Sequence, residues 1–186
     1  MLERIYNKHK IELMMNSFYS IFDNTNPFKP IINRNYKMIV FYPTKGYFIS
    51  EKQFKSLINT LQLIGEKTFY ISEIENGKES FNLNNDVEKY SFKHFIVDVE
   101  LDINEYFNSQ IILENAIYST KGTWGIIISH EEHAILAADK NFMSIFKNEY
   151  TCYKNDIENF KETWINNNKE YGSDISWIKN ILSYKE

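Results

Sequence analysis

Residues 123–139, TWGIIISHEEHAILAAD, decide the fold that this sequence predicts. Two apolar segments, residues 123–129 and 134–138, flank the polar tetrapeptide at residues 130–133. Apolar segments of this length joined by a short polar stretch are typical of a β-hairpin. Because successive positions in both strands are apolar, we expect both faces of the hairpin to be covered.

Three segments before the hairpin also have the character of strands. Residues 37–42 form a short apolar run, residues 68–74 partly alternate, and residues 92–99 place three apolar side chains on one face. With the hairpin, they predict a mixed or antiparallel sheet of about five strands.

Apolar residues at spacings of three and four predict helices at both ends of the chain and between the first two strands. The first such pattern covers residues 2–22. Another begins at a predicted capping box, in which Ser50 and Gln53 cap each other's backbone amides, and it ends at Gly65. From Asp139 onward the pattern is helical again. We therefore expect an N-terminal helix and a helical C-terminal third.

Two segments are harder to assign. Residues 104–118 suit a helix better overall, although residues 111–113 would also suit a strand. Residues 75–89 are polar and rich in Asn, which indicates a long loop. Since helices and strands do not alternate regularly, the α+β class is preferred, with residues 1–186 in a single domain.

Composition narrows the classes of partner and compartment. The formal net charge of −4 disfavours a nucleic-acid partner. The only cysteine, Cys152, cannot form an intramolecular disulfide and is expected to be a small buried apolar side chain. The sequence has neither a signal-peptide pattern at its start nor an apolar run long enough to span a bilayer. We therefore expect a cytoplasmic protein with no membrane partner.

The tetrapeptide His130-Glu131-Glu132-His133 is the densest group of polar side chains in the sequence. Helical zinc-protease motifs place two histidines at positions i and i+4, whereas the spacing here is i+3 on a predicted hairpin tip. A structural or interaction role is the preferred interpretation. A metal site that uses His130 and His133, and a catalytic role, are alternatives.

Three carboxylates, Asp98, Glu100 and Asp102, alternate along the end of a predicted strand and would share one face if the strand were unbroken. Such a row is most often a solvated strand end, although it also suits a hard cation or a basic protein partner. Trp177, in a helix near the C-terminus, is a candidate interface anchor. The candidate partner-binding residues are therefore Asp98, Glu100, Asp102, Glu131, Glu132 and Trp177. No phosphate-binding glycine motif or Cys-x-x-Cys pair is present, and no cofactor is expected.

Residues 113–138 contain Glu114-Asn-Ala-Ile-Tyr-Ser119, then Trp124-Gly125, then Ser129-His-Glu-Glu-His133. This segment resembles part of the small bacterial immunity-type proteins of polymorphic toxin systems. It departs from that pattern at Ala137-Ala138, where two glycines are expected. The resemblance implies a non-enzymatic protein that binds and neutralises a toxin.

Three hypotheses on function follow, and the third is a purely structural or assembly subunit. The first is a non-enzymatic cytoplasmic binding protein, of the immunity type, whose partner is a protein such as a cognate toxin. The alternative is a small metal-dependent hydrolase that uses His130, His133 and a carboxylate from Glu131, Glu132 or Asp98. Zinc would require three or four such ligands to converge.

Overall fold

One antiparallel sheet organises the computed structural model, which describes residues 1–33, 36–83 and 91–182. Within these ranges the sheet has seven strands: β1 (Leu2–Arg4), β2 (Lys37–Phe41), β3 (Thr68–Glu73), β4 (His94–Asp98), β5 (Asn115–Ser119), β6 (Trp124–Ile128) and β7 (Ala134–Ala138). Their order across the sheet is β1-β4-β3-β5-β6-β7-β2, and each neighbouring pair is antiparallel. The predicted α+β class with an antiparallel sheet is confirmed.

Helices cover both faces of this sheet. In the same residue ranges there are six α-helices: α1 (Lys8–Ile21), α2 (Glu51–Leu63), α3 (Ile103–Phe107), α4 (Lys140–Glu149), α5 (Tyr153–Tyr171) and α6 (Ile178–Leu182). The predicted N-terminal helix and helical C-terminal third are confirmed. The capping box of Ser50 and Gln53 is present at the start of α2. None of the described helices combines the length and the apolar character needed to cross a membrane.

Each face of the sheet has its own apolar core. Ile126 and Leu136 point to the core shared with α2, α3 and α4, whereas Ile127 and Ile135 point to the core shared with α1, α5 and α6. Side chains alternate between faces along a strand, so an uninterrupted apolar strand needs a cover on both sides. The hairpin of β6 and β7 therefore lies between two layers of helices, as its composition predicts.

Two secondary-structure predictions were wrong. Leu2–Arg4 is an edge strand paired with β4, and α1 begins only at Lys8, where the side chain of Asn7 caps it. Asn115–Ser119 is a strand, all of it buried between β3 and β6, and the helix predicted for this region is confined to α3. In both cases pairing with distant strands outweighed a local helical pattern. The sheet consequently has seven described strands where about five were expected.

The polar segment predicted as a loop at residues 75–89 contains a short 3₁₀ helix at Gly77–Phe81. Residues 84–89 of that predicted loop lie outside the described residues.

Candidate functional site at the hairpin tip

The turn between β6 and β7 is held in place by backbone hydrogen bonds. The Ser129 amide donates to the His133 carbonyl at 2.9 Å, and the Glu131 amide donates to the Ser129 hydroxyl at 3.1 Å. From outside the hairpin, the Thr44 amide donates to the Glu132 carbonyl at 2.8 Å. Glu132 has a φ of 58°, in the left-handed region that glycine and asparagine adopt more readily. The tip is therefore a defined turn with one strained residue.

His133 anchors the tip to the core. Its side chain is fully buried, and its ring stacks on that of Trp177 with centroids 5.7 Å apart. The rings of Phe28 and Phe160 complete the surroundings at 5.1 Å and 5.5 Å. Phe160 belongs to α5 and Trp177 immediately precedes α6. The imidazole thus joins the hairpin to the helical C-terminal third.

Both ring nitrogens of His133 face backbone carbonyl oxygens. Nε2 lies 3.2 Å from the Pro27 oxygen and Nδ1 lies 3.4 Å from the Glu131 oxygen. Burial is the main cause that lowers the pKa of this imidazole, so it is neutral near pH 7 and donates one N–H. The Pro27 carbonyl is the closer acceptor. In this arrangement neither nitrogen is directed towards His130 as a shared metal ligand would require.

His130 occupies a different environment at the surface. Its Nδ1 lies 2.9 Å from the Glu114 carboxylate, and its Nε2 lies 3.3 Å from the Glu131 carboxylate. The Ser129 hydroxyl donates to the same Glu114 oxygen at 3.3 Å. Glu114 was not among the residues predicted from the sequence, because the helix preferred for residues 104–118 concealed the pairing of β5 with β6. That pairing brings the residue before β5 next to the turn after β6.

A surface cavity of about 310 Å³ separates the hairpin tip from α5, and we call it the tip cavity. Glu131 and Glu132 line it on the hairpin side, Trp164 lines it on the α5 side, and Tyr42 also lines it. The Glu132 carboxylate makes no hydrogen bond or ion pair with any residue that the structure describes. Two carboxylates beside two aromatic rings form a site suited to a cationic group.

The donors at the tip do not form a metal centre. Across residues 1–33, 36–83 and 91–182, no three His, Cys, Asp or Glu side chains are grouped as metal ligands would be. The ring nitrogens of His133 face carbonyl oxygens, and those of His130 face two carboxylates. The hydrolase alternative therefore gains no support from this geometry.

The predicted row of Asp98, Glu100 and Asp102 does not exist, because β4 ends at Asp98. The Leu101 amide donates to the Asp98 carbonyl at 3.0 Å, and this turn ends the strand before Glu100. Asp102 caps α3 by accepting from the Asn104 amide at 2.8 Å. Its carboxylate therefore caps a helix and is not part of a row with Asp98 and Glu100.

Asp98 and Glu100 lie at the opposite end of the sheet from the tip. Asp98 pairs with Thr68, and the register continues through Ser119 to the start of β6, whereas the tip follows the end of β6. Asp98 also lies 3.5 Å from the Met1 amino group. Both acidic residues line a separate cavity of about 340 Å³. The predicted partner-binding residues therefore do not form one surface.

Trp177 does not belong to an exposed surface. Only 5% of the residue is exposed, and its indole N–H donates to the Asp174 carbonyl at 2.8 Å. Its ring is occupied by the contact with His133 and by an edge-on contact with Trp164 at 5.0 Å. Trp177 therefore supports the tip from inside, and most of its surface is covered by these contacts.

His94 lies in a second buried polar group, on the face opposite α2. Its Nε2 donates to the Ser80 carbonyl at 2.9 Å, and its Nδ1 accepts from the Ser72 hydroxyl at 2.9 Å. Ser72 in turn accepts from the Tyr118 hydroxyl at 2.7 Å, and burial raises the pKa of Tyr118. Burial lowers the pKa of His94 to about 4. Every member is buried and hydrogen-bonded, as expected of a structural network.

Comparison with known proteins adds nothing to this picture. No protein-family model, curated protein or solved structure matches the chain.

Proposed function

We propose that this protein is a non-enzymatic, cytoplasmic binding protein whose hairpin tip contacts a basic surface of a protein partner. In this proposal it acts as an immunity-type protein and neutralises a toxin by direct contact. The proposal depends mainly on Glu132. Its backbone is left-handed, and its carboxylate has no partner among the described residues.

A glutamate at this position has a cost that its own contacts do not offset. A left-handed conformation costs an ordinary residue about 1 kcal/mol or more, and glycine or asparagine would avoid most of it. Strained residues of this kind concentrate at ligand-binding sites, where the surrounding structure holds them. Here the surrounding structure is the Thr44 hydrogen bond and the buried His133 ring. The strain places a free carboxylate at the rim of the tip cavity.

The remaining residues of the tip suit the same partner. Glu131 is half-exposed and shares His130 with Glu114, so negative charge is concentrated at this end of the sheet. Such a patch attracts a basic surface over a distance and favours one orientation on docking. Trp164 in the wall of the tip cavity adds a flat apolar surface for the stem of a lysine or arginine side chain. Because the turn is already anchored, binding orders few additional groups.

Calorimetric titration of the purified chain against the product of the adjacent gene tests this function. We expect a complex, and we expect Glu132→Gln and Glu131→Gln each to weaken it about tenfold or more, because each removes a charge from the contact. Raising the salt concentration should weaken the wild-type complex as well. Glu100→Gln is the matched control, since it removes the same charge at the opposite end of the sheet.

Two results would argue against the proposal. One is the absence of any complex with that protein. The other is equal affinity for Glu132→Gln, Glu131→Gln and Glu100→Gln, which would place the contact elsewhere. Circular dichroism of each variant establishes that a loss of binding does not come from unfolding.

A further inference from the structure

The single cysteine of the sequence lies against a lysine. Cys152 is the N-cap residue of α5, and Lys52 is in the first turn of α2. The distance from Lys52 Nζ to Cys152 Sγ is 2.7 Å, across a sequence separation of 100 residues. Cys152 is half-buried and Lys52 is exposed, so small molecules in solution reach both. The sequence predicts a small buried apolar side chain at Cys152, whereas the structure places it half-buried beside a lysine.

A buried polar network holds the starts of these two helices together. The carboxylate of Asp156, one turn into α5, accepts from the side-chain amide of Gln53 at 3.2 Å and from the Tyr150 hydroxyl at 2.8 Å. The Tyr42 amide donates to the same oxygen at 3.1 Å. Burial is the largest cause that raises the pKa of Asp156. Since Gln53 adjoins Lys52, the amine and the thiol are presented to each other from a common base.

The separation of nitrogen and sulfur is short for a hydrogen bond. Sulfur is larger than oxygen and is a weak acceptor, so an N–H group that donates to it normally stays further away than from a carbonyl oxygen. One oxygen atom bonded to both atoms would hold them at about the separation observed. The nitrogen and sulfur atoms therefore lie at a separation that a one-atom bridge could span.

We propose that Lys52 and Cys152 form a reversible covalent N–O–S cross-link when dioxygen oxidises the pair. The contact with Cys152 raises the pKa of Lys52, so its ammonium group must first release a proton to solvent. The S–H bond and one N–H bond of the resulting neutral amine then break, and an S–O bond and an O–N bond form. The second oxygen atom leaves as water with the two released hydrogens. Sulfur and nitrogen together lose four electrons, which reduce one dioxygen. A thiol reductant cleaves the link and regenerates the amine and the thiol.

The cross-link joins α2 to α5 and is independent of the proposed partner. It closes a large loop of the chain and so restricts the unfolded state, as a disulfide does. The midpoint of thermal unfolding should rise by on the order of 10 °C in the oxidised form. The redox state would then set the stability of the molecule without changing its fold.

Peptide mass mapping of the full-length protein tests this cross-link, on samples kept in dioxygen-saturated buffer with or without dithiothreitol. We expect one linked peptide pair containing residues 52 and 152. Its mass should equal the sum of the two peptides plus one oxygen atom minus two hydrogen atoms. Dithiothreitol should remove it and lower the midpoint of thermal unfolding. Lys52→Arg keeps the positive charge and should abolish both effects, as should Cys152→Ser. Lys55→Arg, one turn further along α2, is the matched control and should behave as wild type.

Other oxidation products would overturn the proposal. These are oxygen added to Cys152 alone, to the same extent in wild type and Lys52→Arg, or a disulfide between two copies through Cys152. An unmodified thiol after prolonged exposure to dioxygen would overturn it equally.

Discussion

At the scale of single residues, neighbours in the sequence have opposite roles at the hairpin tip. His133 is buried and uses its ring to join three aromatic side chains, whereas His130, three positions earlier, is exposed between two carboxylates. The sequence pattern predicted a polar tip at this tetrapeptide but did not distinguish the environments of the two histidines. Their difference arises from packing against α5 and the segment before α6, which is too remote in sequence for a local pattern to reveal.

At the same scale, the buried His94 should make the stability of the protein depend on pH. In the folded state its pKa is about 4, because burial disfavours the charged ring, whereas an exposed histidine titrates near 6.5. Between these values the unfolded chain binds a proton that the folded chain does not. The contribution of neutral His94 is fully present above about pH 6.5 and is lost as pH falls towards 4. The expected loss of free energy of unfolding is about 3 kcal/mol.

Urea unfolding followed at intervals from pH 7 to pH 4 measures this loss. The lowered pKa of His133 acts in the same direction. His94→Gln removes one titrating group, and its stability should therefore fall less steeply over the same range, even if the variant is weaker at pH 7. Parallel pH curves for His94→Gln and wild type would show that His94 is not the group responsible.

At the scale of elements, the close approach of α1 to β6 depends on the absence of a side chain at Gly125. A Cβ atom built there would lie 2.7 Å from Cε2 of Phe22 and 3.3 Å from Cδ1 of Ile21, at the end of α1. The backbone of Gly125 does not need a positive φ, so the constraint is steric. The pair Trp124-Gly125 therefore places a large side chain towards one core and a gap towards the other.

Gly125→Ala should lower the free energy of unfolding by about 1–3 kcal/mol, because α1 or the Phe22 ring must move. Chemical denaturation measures the change. Phe22→Leu removes the obstructing ring atom, so in a double-mutant cycle the added methyl group should cost less in the Phe22→Leu background. Simple additivity of the two substitutions would contradict the steric explanation.

The elements that could be predicted from sequence are those with a strong signal of their own. The β6–β7 hairpin has apolar strands on either side of a polar turn, and α2 has a capping box and an apolar stripe. β1 and β5 could not be predicted because each is short and is specified by its neighbours in the sheet. The same limitation hid Glu114 as a contact of His130.

At the scale of the whole molecule, the two cores share a single sheet and should therefore unfold together. Ile126 and Ile127 are consecutive residues of β6, yet the first belongs to the core under α2 and α4 and the second to the core under α1 and α5. Loss of order in either core would remove the support for the strands that carry the other. The molecule is thus expected to show one cooperative transition.

Replacing each of these isoleucines by valine tests that expectation. Each substitution deletes one buried methyl group and should cost about 0.5–1.5 kcal/mol, and the double variant should cost about the sum, because the two side chains occupy different cores. For each of the three variants, calorimetry and far-ultraviolet circular dichroism should report one transition with the same midpoint by both methods. Two resolved transitions, each moved by only one substitution, would show that the cores unfold separately.

The position of β2 in the sheet has a consequence for folding during synthesis on the ribosome. β2 is synthesised early, yet among the described residues its only strand partner is β7, and Met38 pairs with Ala137. Until β7 has emerged, the apolar segment Lys37–Phe41 has no place in the sheet. The sheet can therefore be completed only late in translation. Until then the nascent chain exposes an unpaired apolar strand, which a chaperone could shield from aggregation.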